Sequence, residues 1–495
     1  MGTDARQDTD GDTSSDVGRP RRGLSRRAVV IAGAGTVVAA LVPIGLIVTR
    51  APADAGTLSS RFASLEAALA ATEPGGLLEV DQAYTRSTTW TIDKPVTVTF
   101  RPAGLIIVTR PDVAAITITS DDVSIADPRL SGTWADRAGA GRGILAAGRP
   151  GTPLQRITIT GGVMTGFSYG GVTLSQVTGF RVADVIIDSV GYAGIMLLSC
   201  VDGDVADNRV STVTQAGGAV NSYGIAVTRD TDFDLATTPR SARVRVTGNT
   251  ITGVTKWEGI DTHAGEGIVI DRNVVRQCHV GIAVVPAKAP PETTTADASA
   301  ETYVFAPLDC VVSNNVVSYT GDGLRASGIL VKGAGDTVGS DAERATGRVV
   351  GNTVVGMGGG EIDAAVTVYL TRGLEVSGNT LDDSRARAIT VYHSNDALTV
   401  ADNTVVGVDA DPDAAGAAKA GTNAPVAVVD VRAGANTVEI SGTTYQPSRT
   451  SSRDVRGLYA PGSGSTITST RNDWSETALA VYNRGNALTR VDDGH

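Results

Sequence analysis

Short runs of Val, Ile and Thr alternate with polar residues along most of this chain, and Gly, Asn and Asp separate one run from the next. Alternation with a period of two marks half-buried strands, and only one short stretch near the N-terminus carries a helical period. Two markers accompany the runs. The first is a small residue before Ile or Val: Gly171-Val172, Gly194-Ile195, Gly224-Ile225, Gly259-Ile260, Gly281-Ile282, Gly328-Ile329, Ala365-Val366 and Ala388-Ile389. The second is Asn or an equivalent: Gly162, Val185 and Asn208, then Asn249, Asn273, Asn315, Asn352, Asn379 and Asn403. Where no insertion intervenes, the second marker recurs every 23 to 27 residues. A repeat of this length built from short strands predicts stacked coils. The expected fold is all-β: a single-stranded right-handed parallel β-helix, a solenoid, with a short N-terminal capping helix. The usual crossover of parallel strands supplies the hand.

The markers have a physical reading. Each coil must turn where its neighbours turn, and Asn tolerates the left-handed backbone that a sharp bend needs. Its amide also hydrogen-bonds to an Asn stacked above, so a buried Asn ladder is expected. One coil cannot bury its own apolar face, and the inward Val and Ile become a core only through stacking.

The organisation along the chain follows. Residues 1–55 differ in kind from the rest: Ser25-Arg26-Arg27 precedes an apolar run from Ala28 to Val48, with small residues at Ala51-Pro52-Ala53 and Ala53-Asp54-Ala55. This resembles a twin-arginine export signal with a cleavage site, giving a secreted or cell-surface protein. The run is also long enough to span a bilayer, so an uncleaved anchor is the alternative, and the only route to a membrane. Residues 56–150 read as an N-terminal cap and first irregular coils, with a helix at 59–72 placing Phe62, Leu65 and Leu69 on one side. Residues 151–408 are the regular coils, and 409–495 hold closing coils and a tail.

Three long insertions, Arg229–Ala242, Pro286–Leu308 and Gly333–Gly347, leave the coil just after the small-residue marker. Insertions gathered on one side of a solenoid wall a binding face. Alternation from the marker gives two outward, exposed columns on that face. One reads Thr173, Met196, Ala226, Asp261, Ala283, Leu330, Thr367 and Thr390; the other Ser175, Leu198, Thr228, His263, Val285, Lys332, Tyr369 and Tyr392. Only four histidines exist, and His263 and His393 both fall at the outer end of this strand. An outward Asp261 with His263 two residues on, between walls, marks a reaction centre.

Gly259-Ile260-Asp261-Thr262-His263 resembles the Gly-Phe-Asp-Pro-His strand of the mannuronan C5-epimerases, within the β-helix carbohydrate-active group that includes pectate and alginate lyases. The resemblance implies substrate-carboxylate contact and proton transfer for Asp261 and His263. Thr262 stands where that family has Pro, and Glu258 where it has Tyr. The chemistry is also arguable directly, because lyases and epimerases of uronic-acid polymers remove the proton beside the sugar carboxylate. That requires a base and a cation or proton donor that quenches the charge. His263 is the candidate base, Lys332 or Arg229 the cation and Tyr369 or Tyr392 the acid, with Asp261 orienting His263 or holding a protonated carboxylate. Arg229, Asp230, Trp257, Glu258, Tyr392 and His393 are candidate substrate-binding residues.

A glycoside hydrolase needs two carboxylates flanking the bond. Asp261 with Glu258 or Asp230 is the pair available. Hydrolysis or glycosyl transfer on a neutral polysaccharide is therefore the second reading, and a non-catalytic carbohydrate-binding solenoid the third. The formal charge is −11. Residues 1–55 carry seven basic and six acidic side chains, so the remainder stays near −12 and nucleic acid is excluded as a natural partner. Asp230, Asp232 and Asp234 alternate as Ca²⁺ ligands can, but no EF-hand Gly or Glu follows, and no cofactor or metal is expected. Cys200, Cys278 and Cys310 form no metal-like spacing and read as small buried residues.

Overall fold

The computed structural model describes residues 56–491 except 134–138, 218–220, 231–234, 289–302, 410–425 and positions 322, 324, 336, 433, 450 and 453. The signal-like segment 1–55, Asp232 and Asp234, and most of the Ala/Gly-rich stretch after 409 lie outside the described residues. Among the described residues, no helix is long and apolar enough to cross a membrane.

Every regular coil supplies three strands to three parallel stacks. One coil contributes Val201–Ala206, Arg209–Val213 and Tyr223–Thr228, and the next Ala242–Thr247, Thr250–Val254 and Glu258–His263. Val201 pairs with Ala242, Arg209 with Thr250 and Tyr223 with Glu258, all in parallel register. The middle stack is a sheet of 13 strands, and the other two merge into one sheet of 28. The chain is a right-handed parallel β-helix. Its core is the column of inward residues, such as Ile225, Ile260, Ile282 and Ile329, all fully buried.

The small-residue marker has a steric cause. A Cβ on Gly259 would sit 2.4 Å from Val275 Cγ1, and one on Gly281 2.4 Å from Val317 Cγ1. Neighbouring Gly194, Gly224 and Gly328 face branched residues of the middle stack at 2.4 to 2.5 Å. At this corner the third stack leans on the second too closely for a larger side chain.

The Asn ladder is present. Asn208, Asn249, Asn273, Asn315, Asn352 and Asn379 each donate backbone N–H and Nδ2 to Oδ1 of the Asn one coil on, at 2.9 to 3.0 Å. Each Nδ2 also donates to a strand carbonyl, for example Asn315 to Ile270 at 2.9 Å. The left-handed conformation, however, belongs to the residue before: Asp207, Gly248, Arg272, Asn314, Gly351, Gly378 and Asp402 have φ of 52° to 68°. The ladder Asn is kept for its amide, and the bend is made one residue earlier.

The ends also differ from expectation in detail. The 59–72 helix is shorter: a 3₁₀ turn at Ser59–Arg61 and an α-helix at Leu65–Ala71, because Ser64 Oγ caps the helix by accepting from Ala67 N–H at 3.2 Å. Leu65 and Leu69 are buried over the first coils, as a cap requires. At the other end Arg456–Thr470 runs through two stacks and pairs with Leu479–Val491. The three cysteines are buried and unpaired, and burial pushes each thiol up to about 12.

Candidate active site

The outward columns have the expected register. Thr173 pairs with Met196, Met196 with Ala226, Ala226 with Asp261, Asp261 with Ala283, and Ala283 with Leu330. They are not exposed, however. Thr173, Met196, Ala226, Asp261, Ala283, Thr367 and Thr390 are buried. Met196 and Ala226 pack against Tyr192, Tyr223 and Trp257, and Ala283 against Val280, Val285 and Ala326. What stays open is a cleft of about 580 Å³, whose lining runs from Tyr169 to Tyr369 across successive coils.

The three insertions are tied to one another. Arg240 of the first donates Nη2 to Glu343 Oε2 of the third at 2.6 Å, and the same oxygen accepts from Ala306 N–H of the second at 2.7 Å. Phe305, beside Ala306, has the guanidinium groups of Arg229 and Arg240 each 5.3 Å from its ring centre. Arg229 is buried, and its Nη2 donates to Thr238 Oγ1 at 3.2 Å while the side chain lines the cleft.

On the floor, Glu258 and Asp261 both point into the cleft. They do so because Gly259 and Ile260 both face the core, a break in alternation that only a residue without a side chain at 259 permits. The two acids are 2% and 0% exposed. Neither Asp261 oxygen, nor Glu258 Oε2, has a hydrogen-bond partner among the described residues. Burial pushes the Glu258 carboxyl up to about 8, against a hydrogen bond from the Trp257 side chain. Burial first, and then the neighbouring Glu258 charge, raise Asp261 well above the usual carboxylate range. His263 Nε2 lies 3.5 Å from Asp261 Oδ1, and its side chain remains 29% exposed to the cleft. One donor atom from each of Glu258, Asp261 and His263 falls within 4.8 Å of the others, close enough to hold one ion.

Three tyrosines that sequence reasoning missed complete the site. Tyr169, Tyr192 and Tyr223 stand in successive coils with ring centres 4.9 and 5.6 Å apart, and Tyr223 meets the His263 ring edge-on at 6.2 Å. Burial, then the charges of Asp261 and Glu258, hold the Tyr223 phenol well above its ordinary pKa. The signal was available: Tyr169, Tyr192, Tyr223 and Trp257 each stand one or two residues before the small-residue marker of their coil.

Of the anticipated residues, Asp261, His263, Lys332, Tyr369, Arg229, Trp257 and Glu258 all line the cleft. Lys332 Nζ lies 5.4 Å from the Tyr369 ring centre. Asp230, Tyr392 and His393 are not in the lining. The Asp230 backbone is held in the turn by Ser199 and Thr238, whose hydroxyls bond its N–H and carbonyl. Tyr392 and His393 pack beyond Tyr369, with ring centres 5.6 Å from it. His393 is 4% exposed, and burial, then Arg344 and Lys332, hold its imidazole below the usual value.

Neither a family model nor a curated protein matches this sequence. Among solved structures, the chain is similar to PfbA, a surface adhesin of Streptococcus pneumoniae, with 10% identity, a TM-score of 0.50, and 83% of this chain and 92% of that one covered. It is also similar to a point mutant of the tailspike protein of E. coli bacteriophage HK620, solved with a pentasaccharide, at 14% identity and a TM-score of 0.49 over 80% and 72% of the two chains. A third is the A-module of the Azotobacter vinelandii mannuronan C-5 epimerase AlgE6, at 13% identity and a TM-score of 0.38 over 85% and 91%. At these identities the likeness is one of fold.

Proposed function

We propose that this protein is a polysaccharide-active enzyme whose cleft takes a uronic-acid-containing chain and performs lyase or C5-epimerase chemistry on it. The observation that carries the reading is the Glu258–Asp261–His263 group on the cleft floor, with two buried carboxyls that leave three oxygens without a hydrogen bond among the described residues, beside an accessible imidazole. Carboxyl groups this buried hold a proton that they can donate to a sugar carboxylate, quenching its charge as the neighbouring C–H is broken. His263 takes the proton released from that C–H bond, and Asp261 holds the ring. Lys332 and Arg229 add positive charge along the same cleft. The tyrosines and Trp257 offer flat faces on which sugar rings stack. Export through the twin-arginine-like segment is part of this proposal.

A second reading, glycoside hydrolysis, has one observation in its favour: Glu258 and Asp261 bring carboxyl oxygens within 4.8 Å. Retaining glycosidases hold their carboxyls roughly 5–5.5 Å apart. Incubation with a panel of acidic and neutral polysaccharides separates the readings, following ultraviolet absorbance for unsaturated uronates together with new reducing ends. Absorbance with new ends identifies a lyase, and ends alone a hydrolase. A changed sugar composition by NMR without new ends identifies an epimerase. Silence in all three removes the enzyme reading and leaves a binding solenoid.

A further inference from the structure

We propose that Glu258, Asp261 and His263 form a binding site for one divalent first-row transition-metal ion, with Zn²⁺ the favoured occupant. The donors are of the right kind and the right spacing. Zinc bonds carboxylate oxygen and imidazole nitrogen at about 2.0–2.2 Å, which puts neighbouring donors of a tetrahedral site roughly 3.4 Å apart. Asp261 Oδ1 and His263 Nε2 are already 3.5 Å apart, and all three donors fall within 4.8 Å of one another.

An independent observation points to a ligand. Both oxygens of Asp261 and Oε2 of Glu258 are buried against the cleft floor with no hydrogen bond among the described residues. A carboxylate removed from water is paired, metal-bound or protonated. Compare Asp430, also fully buried, which Arg387 and Arg432 approach at 2.7 and 2.8 Å. Among the described residues, Glu258 and Asp261 have no such cation in an ion pair, apart from the imidazole of His263 if it is protonated.

The set of donors also selects the ion. Ca²⁺ takes six to eight oxygen ligands, and two carboxylates with one nitrogen fall well short of that. Imidazole with carboxylate suits zinc, which outranks Mn²⁺ in affinity for a site of this type. The His263 side of the group faces the cleft, leaving the fourth position of the ion to water or a substrate oxygen.

This goes beyond the proposed reaction and constrains it. A bound ion occupies the His263 lone pair and both carboxyl groups, so the metal-bound protein has neither the base nor the acid. Zinc and turnover exclude one another at this cluster, and zinc acts as an inhibitor.

The test is calorimetric titration of the full chain with ZnCl₂ after chelator treatment and dialysis. The expected result is one ion per chain, with affinity falling at least tenfold in Asp261→Asn and in His263→Ala, and unchanged in His279→Ala, since His279 lies on the next coil outside the cleft lining. Co²⁺ in place of Zn²⁺ should give visible absorption bands of a tetrahedral site that His263→Ala abolishes. Circular dichroism of each variant checks that it is folded, and Glu258→Gln replaces any variant that is not. No uptake by the wild type, or uptake that Asp261→Asn, His263→Ala and Glu258→Gln all leave unchanged, overturns the proposal. Zinc binding by a chain whose metal-free form is inactive on every polysaccharide keeps the metal site and removes the enzyme reading, whereas activity in a chain that takes up no zinc does the reverse.

Discussion

Asparagine amides in the turn ladder and carboxyls on the cleft floor are equally buried, but only the first are satisfied. Each ladder amide from Asn208 to Asn379 donates to the next Asn and to a strand carbonyl, so the row is hydrogen-bonded from end to end. Glu258 and Asp261 leave three oxygens with no hydrogen bond among the described residues. A satisfied buried polar row stabilises the fold, while an unsatisfied one costs stability and persists where it does chemistry. The contrast separates scaffold from site within one coil, because Asn249 and Asp261 belong to the same turn of the helix.

The largest break in that contrast is on the site side. His263→Ala should lower turnover by about 10²–10⁴-fold, the usual worth of a general base, with its melting temperature near that of the wild type. Steady-state kinetics on the polysaccharide identified by the panel, paired with thermal melts, checks both halves.

On the scaffold side, Asn315→Ala should do the opposite. It removes the acceptor for Asn273 and the donor to Ile270 and Asn352, all buried. The expected cost is about 3 kcal/mol of stability, measured by denaturant unfolding, with turnover per folded molecule retained.

The acid pair makes stability depend on pH in a stated direction. Glu258 titrates near 4.5 when unfolded and near 8 when folded, so the folded chain holds a proton that the unfolded chain has released. Stability from this proton is fully present below pH 4.5 and is lost as pH rises through about 8. In metal-free protein, Glu258→Gln should flatten that slope, and melting temperature against pH reads it directly.

The smallest expected effect is at the wall. Arg240→Ala should cost about 1 kcal/mol of stability, since Arg240 is 11% exposed and Glu343 36%, and solvent screens the pair. Without the clamp the Phe305 face under Arg229 loosens, so KM should rise several-fold with kcat little changed.

Much of this was legible in the sequence, for identifiable reasons. The period, the two markers, the outward register of Asp261 and His263, and the exit points of the insertions are all local or periodic, and periodicity is what stacking writes into a chain. The placement of Glu258 was not legible, because alternation from the marker breaks at Gly259, where the steric limit comes from Val275 in the next coil. The burial of the outward columns was also hidden, since it depends on side chains packed across successive coils. The clamp from Arg240 to Glu343 joins residues 103 apart, a distance over which no sequence pattern acts. Tyr392 and His393 continued the right column, but the cleft ends at Tyr369, one coil before them.

The central claim is that the carboxyls on the cleft floor are held unsatisfied for chemistry. Asp261→Asn tests it most directly, with turnover and melting temperature measured on the same preparation. The account predicts that turnover collapses while melting temperature at neutral pH holds or rises, because a neutral amide replaces an acid that burial disfavours when charged. A variant that melts well below the wild type, or that keeps full turnover, would contradict it.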